Sequence, residues 1–177
     1  MPEGERGRVL LAIARDAIAE LRAQYEWGED WLRAKAASFV TLRVEGDLRG
    51  CIGTVDAHRP LGDDVAHNAH AAAYRDSRFA PVPAEERARL QVEVSVLSPR
   101  VPLPVASEDE ALSHLRPGVD GVFLEYQEFR ATFLPQVWDN LPEPFEFLCE
   151  LRRKARLPMR FWHPELRLSR YTVDKYK

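Results

Sequence analysis

Seven consecutive residues, Leu48-Arg49-Gly50-Cys51-Ile52-Gly53-Thr54, gather a thiol, a cation and two places without a side chain. Cys51 is one of only two cysteines, and a thiolate is a nucleophile when a neighbouring cation favours its charged form. Arg49 offers such a cation two residues earlier, and Gly50 and Gly53 leave the backbone approachable. No histidine lies close in sequence to serve as a base, so a base must come from elsewhere in the fold. The alternative is a small hydrophobe in a tightly packed strand, which needs no chemistry at all.

Three further groupings bear on that site. Arg75, Asp76 and Arg78 crowd a loop ahead of Phe79, either as surface charge at a helix end or as a fork for a phosphate or carboxylate. Glu93 and Ser95 alternate with valines and matter only if their strand face lines the same hollow as Cys51. Thr132, Gln136 and Trp138 mix polar tips with aromatic bulk, as in a pocket wall or a strand-to-helix corner. His67 and His70 stand three apart on a helix, near enough for one metal, but nothing completes a ligand set with His58. No metal or cofactor is expected.

The elements that must position these residues follow from periodicity. Apolar residues at Val9, Leu10, Ile13, Ala17 and Leu21 predict a helix over 6–25. Trp27 and Trp31 flank an acidic loop and seal that helix end. Residues 38–45 and the cysteine stretch form a hairpin about Glu45-Gly46-Asp47, placing Arg49 and Cys51 on one face unless a bulge intervenes. Pro60 opens an alanine-rich helix that reaches Tyr74 and must lie very close to its neighbour. Leu90 to Leu97 is a strand with Val92, Val94 and Val96 inward. Pro99, Pro102 and Pro104 are expected to forbid pairing and to make a rigid connector. A short helix capped by Ser107, a hairpin over 119–134, a helical piece from Pro135, a helix over 145–155 and one closing strand over 166–176 complete the chain. Hairpins interspersed with helices, without regular strand–helix–strand alternation, indicate α+β: antiparallel sheets flanked by helices. The Pro-rich connector and the Ser77–Pro83 loop are the expected seams between a larger and a smaller lobe.

The totals narrow the function classes. With 177 residues, 45% apolar and 30% charged, the chain can bury a sizeable core. A net charge of −3 with both signs interspersed carries no nucleic-acid footprint. No apolar run approaches the roughly 20 residues of a membrane span, and no membrane partner is expected. Two cysteines make no disulfide framework, so a reducing cytoplasm is the expected setting.

The cysteine stretch resembles the signature of the AMMECR-type domain family, whose microbial members are called AmmeMemoRadiSam system protein A. The likeness extends through Phe39-Val40-Thr41-Leu42, Pro60-Leu61, Asp64-Val65, Asn68-Ala69 and Asp76 with Arg78-Phe79. It continues over Glu93-Val94-Ser95-Val96-Leu97-Ser98, Gly118-Val119-Asp120-Gly121-Val122 and Thr132-Phe133-Leu134-Pro135-Gln136-Val137-Trp138. Ala131 departs from the family's small glycine, and the turn Gln127-Glu128 lacks one too. The resemblance implies a cytoplasmic α+β protein of two unequal lobes with a cleft between them, the larger lobe made from both chain ends and the smaller inserted. It implies a place for the cysteine motif beside that cleft, and a pathway shared with Memo-like and radical S-adenosylmethionine (SAM) proteins. The expected function is an enzyme acting on a small anionic molecule, with Cys51 as nucleophile. Arg49, Gly50, Gly53, Thr54, Asp76, Arg78, Glu93, Ser95, Thr132, Gln136 and Trp138 are its expected binding residues. The alternative is a non-catalytic small-ligand or protein-binding adaptor for those partners.

Overall fold

The computed structural model describes residues 3–20 and 26–177. It is α+β, with two four-stranded antiparallel sheets flanked by helices. The chain divides into two compact units, Met1–Leu97 with Asp174–Lys177, and Ser98–Val173. The Ser77–Pro83 loop lies inside the first unit, not at the division.

The first unit begins with α1 (Glu3–Ile18). Leu10, Ile13, Ala14 and Ile18 recur at helical spacing and are buried. The helix ends earlier than its periodicity suggests, because Glu20 adopts a left-handed backbone (φ 57°) that stops the ladder. Residues 21–25, Leu21 among them, lie outside the described residues. After a single turn, α2 (Asp30–Arg33), come β1 (Ala37–Val44) and β2 (Asp47–Gly53). Glu45 and Gly46 both take positive φ (54° and 91°), the mirror-image turn that matches the twist of a two-residue hairpin. Helix α3 (Leu61–Tyr74) and a 3₁₀ turn (Ala84–Arg89) lead to β3 (Gln91–Leu97). With β8 (Val173–Tyr176) from the end of the chain, the sheet runs β2-β1-β3-β8, so β2 is an edge. Val40, Leu42, Val92 and Val94 point from it into the core with α1 and α3. Val96 is only half-buried, whereas Ser95, expected on the wet side, is buried.

The second unit holds β4 (Val101–Leu103), α4 (Glu108–His114), β5 (Gly121–Tyr126), β6 (Phe129–Phe133), α5 (Pro144–Lys154) and β7 (Arg167–Tyr171). The Ser107 hydroxyl accepts the Glu110 N–H at 3.2 Å, the expected cap of α4. The Pro-rich connector does pair: Pro102 stands opposite Ser169. Because β4 is the edge of the order β4-β7-β5-β6, a residue without an N–H is tolerated there. The second hairpin turns without glycine, Gln127 itself taking φ 52°. The single closing strand expected over 166–176 is two. Thr172 separates β7, in the second sheet, from β8 (Val173–Tyr176), in the first.

Candidate functional site

The cysteine stretch is explained residue by residue through what it touches in the first unit. Register along the hairpin pairs Leu42 with Gly50 but Arg43 with Leu48, leaving Arg49 as the extra residue of a β-bulge. A bulge re-aims a side chain. Arg49 Nε donates to Glu86 Oε1 at 2.7 Å and Nη1 to the Ala80 carbonyl at 2.8 Å. The cation expected to serve the thiol is thus committed to the loop and 3₁₀ turn beside it. Gly50 faces α3, and a Cβ there would collide with the Ala72 carbonyl oxygen, so its lack of a side chain sets the helix–strand distance. A Cβ on Gly53 would run into the Phe39 ring.

Cys51 stands opposite Thr41, which in turn stands opposite Glu93, so thiol, hydroxyl and carboxylate form one row across three strands. This row lies on the sheet face away from the α1–α3 core. Cys51 Sγ is 3.3 Å from Thr41 Oγ1, and Glu93 Oε2 meets Lys177 Nζ at 3.1 Å. Ser95 occupies the next row, beside Phe39 and Gly53.

The backbone of Cys51 points off the sheet edge, and its missing strand neighbour is replaced by two side chains. Asp76 Oδ2 accepts the Cys51 N–H at 2.9 Å, and Arg78 Nη2 donates to the Cys51 carbonyl at 3.3 Å. Arg78 also donates from Nε to Asp76 Oδ1 at 3.0 Å and from Nη2 to Oδ2 at 2.7 Å. Asp76 is buried, but the Arg78 side chain is 55% exposed and lies beside the Phe79 ring. The bonds from Arg78, then the N–H groups of Cys51 and Arg78, hold the Asp76 carboxyl well below the usual carboxylate range against the opposing effect of burial. Arg78 is correspondingly raised, first by its bonds to Asp76. An edge strand left open invites pairing with other chains, and this clasp closes it at Cys51.

Thr54 ends the stretch in a second polar centre, which periodicity alone does not reveal. Asp64 is fully buried on α3 and accepts at Oδ2 from the Ser38 N–H (2.9 Å), the Ser38 hydroxyl (2.7 Å) and Asn68 Nδ2 (3.0 Å). Its Oδ1 takes the Thr54 hydroxyl at 2.8 Å and lies 3.0 Å from Arg59 Nε. One carboxylate therefore ties the start of β1, the end of β2 and α3. The signal that could have found it is a polar pair four apart, Asp64 and Asn68, on the alanine-rich face of a helix.

The remaining expected site residues lie in the second unit and are largely structural. Thr132 donates to the Val122 carbonyl at 2.9 Å and lies 2.7 Å from the Tyr171 hydroxyl, whose ionisation burial pushes up to about 12. Trp138 Nε1 donates to the Asp120 carbonyl at 2.7 Å, and its ring stacks on Phe147 at 3.7 Å. Both are buried, and Trp138 belongs to the second unit's core; Gln136 is exposed. His58 bonds its own loop and His70 leans on Tyr74. No group of three or more His, Cys, Asp or Glu among the described residues is arranged to hold a metal. No helix there is long and apolar enough to cross a membrane.

Comparison with known proteins matches residues 11–176 to the AMMECR1 family model. A protein of Methanothermobacter thermautotrophicus is 42% identical, covering 96% of this chain and 93% of its own. One of Thermotoga maritima is 36% identical over 84% of this chain and 82% of its own. The crystal structure of an uncharacterised protein from Pyrococcus horikoshii superposes with a TM-score of 0.86 at 31% identity, covering 98% of this chain and 91% of that one.

Proposed function

Because the chain belongs to the AMMECR1 family, we propose that it works as the family's fold allows without covalent chemistry: a binding module that grips the anionic group of a small molecule at Arg78, beside Cys51. One observation carries this reading. Arg78 is held in place by Asp76 and by the Cys51 carbonyl, yet more than half of its side chain is open to solvent. Such a guanidinium is pre-positioned, so little freedom is lost when a carboxylate or phosphate docks on it.

The thiol supports binding over catalysis. Its hydrogen-bond partner is the Thr41 hydroxyl, which is no base near neutral pH, and the Asp76 carboxylate beside it already accepts from Cys51 N–H and Arg78. A cysteine nucleophile is activated by a base within hydrogen-bond reach or by a cation that favours the thiolate. Of the cations near it, Arg49 is bonded to Glu86 and the Ala80 carbonyl, and Arg78 to Asp76 and the Cys51 carbonyl. An adaptor role beside Memo-like and radical SAM proteins fits the same reading, with the bound anion as the shared element.

The test is small-molecule capture from a metabolite extract on wild type, Arg78→Gln and Cys51→Ser, read by mass spectrometry, with iodoacetamide labelling of Cys51 across pH. Anions retained by wild type and Cys51→Ser but lost by Arg78→Gln are expected. A covalent acyl or phosphoryl adduct on Cys51 would sink the binding-module reading and restore the enzyme. Selective labelling of native Cys51 below the free-thiol midpoint of about 8.5 would do the same.

A further inference from the structure

A hollow opens in the first unit, where the end of α1, the 3₁₀ turn and the start of β3 meet. It measures about 410 Å³, within the size range of small-ligand pockets. Ile18, Leu90 and Val92 give it apolar walls, and Arg15 and Arg87 bring two guanidiniums. None of these five residues takes part in the clasp at Cys51 or the centre at Asp64.

Arg87 is held rather than adrift. Its guanidinium carbon lies 5.8 Å over the Tyr74 ring, and the Tyr74 hydroxyl donates to the Ile18 carbonyl at 2.5 Å, fastening that platform to the end of α1. Arg87 Nη2 donates to Glu20 Oε2 at 3.0 Å, while Nε is buried with no hydrogen-bond partner. A guanidinium offers Nε and one Nη as parallel prongs that fit both oxygens of one carboxylate. Glu20 takes one prong only, from a left-handed backbone position and with a side chain 57% exposed. A buried N–H without an acceptor is unfavourable, and Arg87 lines the hollow with a second arginine, Arg15, beside it.

We propose that this hollow binds a medium-chain monocarboxylate. The carboxylate accepts from both Nε and Nη2 of Arg87, Arg15 adds a second positive charge, and the hydrocarbon lies against Ile18, Leu90 and Val92. Glu20 is a stand-in that the ligand displaces. Charge complementarity requires an acid head, and the apolar walls require a tail, so neither a bare anion nor a neutral alcohol satisfies both.

Titration of the ¹⁵N-labelled full chain with octanoate, followed by amide NMR, tests this. Saturable shifts centred on Ile18, Leu90 and Val92 are expected, with octanol and inorganic phosphate each binding at least about tenfold more weakly, the effect of losing one charged anchor. Arg87→Gln weakens octanoate by a similar factor. Glu20→Gln, a change at an exposed side chain that leaves the fold intact, tightens it several-fold by removing the competing carboxylate. No saturable shift in either wild type or Glu20→Gln overturns the proposal. So does equal binding of octanol and octanoate, which would mean apolar adsorption, and so does unchanged affinity in Glu20→Gln.

Discussion

Asp64 and Asp76 are both buried carboxylates at opposite ends of one helix, and both fasten the cysteine strand, yet they are built differently. Asp64 is closed by Ser38 and Asn68, themselves buried, and by Thr54, with Arg59, only 27% exposed, at its other oxygen. Asp76 is closed by one backbone N–H and by an arginine whose side chain is 55% exposed. The first arrangement is a lock that solvent does not reach. The second keeps a charged group at the surface while its partner stays inside, which is how a recognition residue is held without being hidden. The motif is thus anchored at both Thr54 and Cys51, and at Cys51 the anchor includes a side chain that is more than half exposed.

Four substitutions would break or sharpen that contrast. The largest effect belongs to Asp64→Ala, which orphans Ser38, Thr54 and Asn68 and leaves Arg59 unpaired; a loss of about 3–5 kcal/mol in urea unfolding is expected. A loss near that of a surface ion pair would show that the centre is not a lock. Next comes Gly50→Ala. Its Cβ would push the Ala72 carbonyl, and with it the helix that carries Asp64 and leads to Asp76, so roughly 2–3 kcal/mol should go and both centres should loosen together. Amide shifts confined to one centre would contradict that coupling.

Asp76→Asn is expected to cost about 1–3 kcal/mol at neutral pH. Its signature is pH dependence. The carboxyl titrates lower in the folded chain than in the unfolded chain, so as the pH falls the unfolded chain takes up the proton first and stability drops. The clasp contributes in full above about pH 5 and fades below about pH 4, where the unfolded carboxyl titrates near 3.9. The stability gap between wild type and Asp76→Asn should therefore narrow in acid; a constant gap would show that charge is not what Asp76 supplies. Smallest is Arg78→Gln, about 1 kcal/mol because the exposed arginine buries little itself but leaves the buried Asp76 carboxylate with fewer donors, while anion retention disappears. A stability loss as large as that of Asp64→Ala would make Arg78 part of the lock and remove the ground for reading it as a recognition residue.

What periodicity and turn chemistry encode was legible along the chain. Glu45-Gly46 makes the hairpin turn, Ser107 caps α4, alternation buries Val92 and Val94, and the alanines of α3 do mark a close approach, met by Gly50. Each of these is decided within a few residues or by one face of one element. The bulge at Arg49, the clasp on Cys51 and the Asp64 centre join residues 10 to 37 positions apart, and no local pattern states which pairs meet. Pro102 in a strand, the division of the last strand at Thr172 and the burial of Thr132 and Trp138 were likewise decided by sheet order. An edge position excuses a proline, and a buried hydroxyl or indole is acceptable only once a carbonyl from another element accepts its proton. By itself the sequence determined the elements and the turns that join them. The tertiary structure decided what each of its residues does, because a side chain's role is set by the partner that reaches it across the fold.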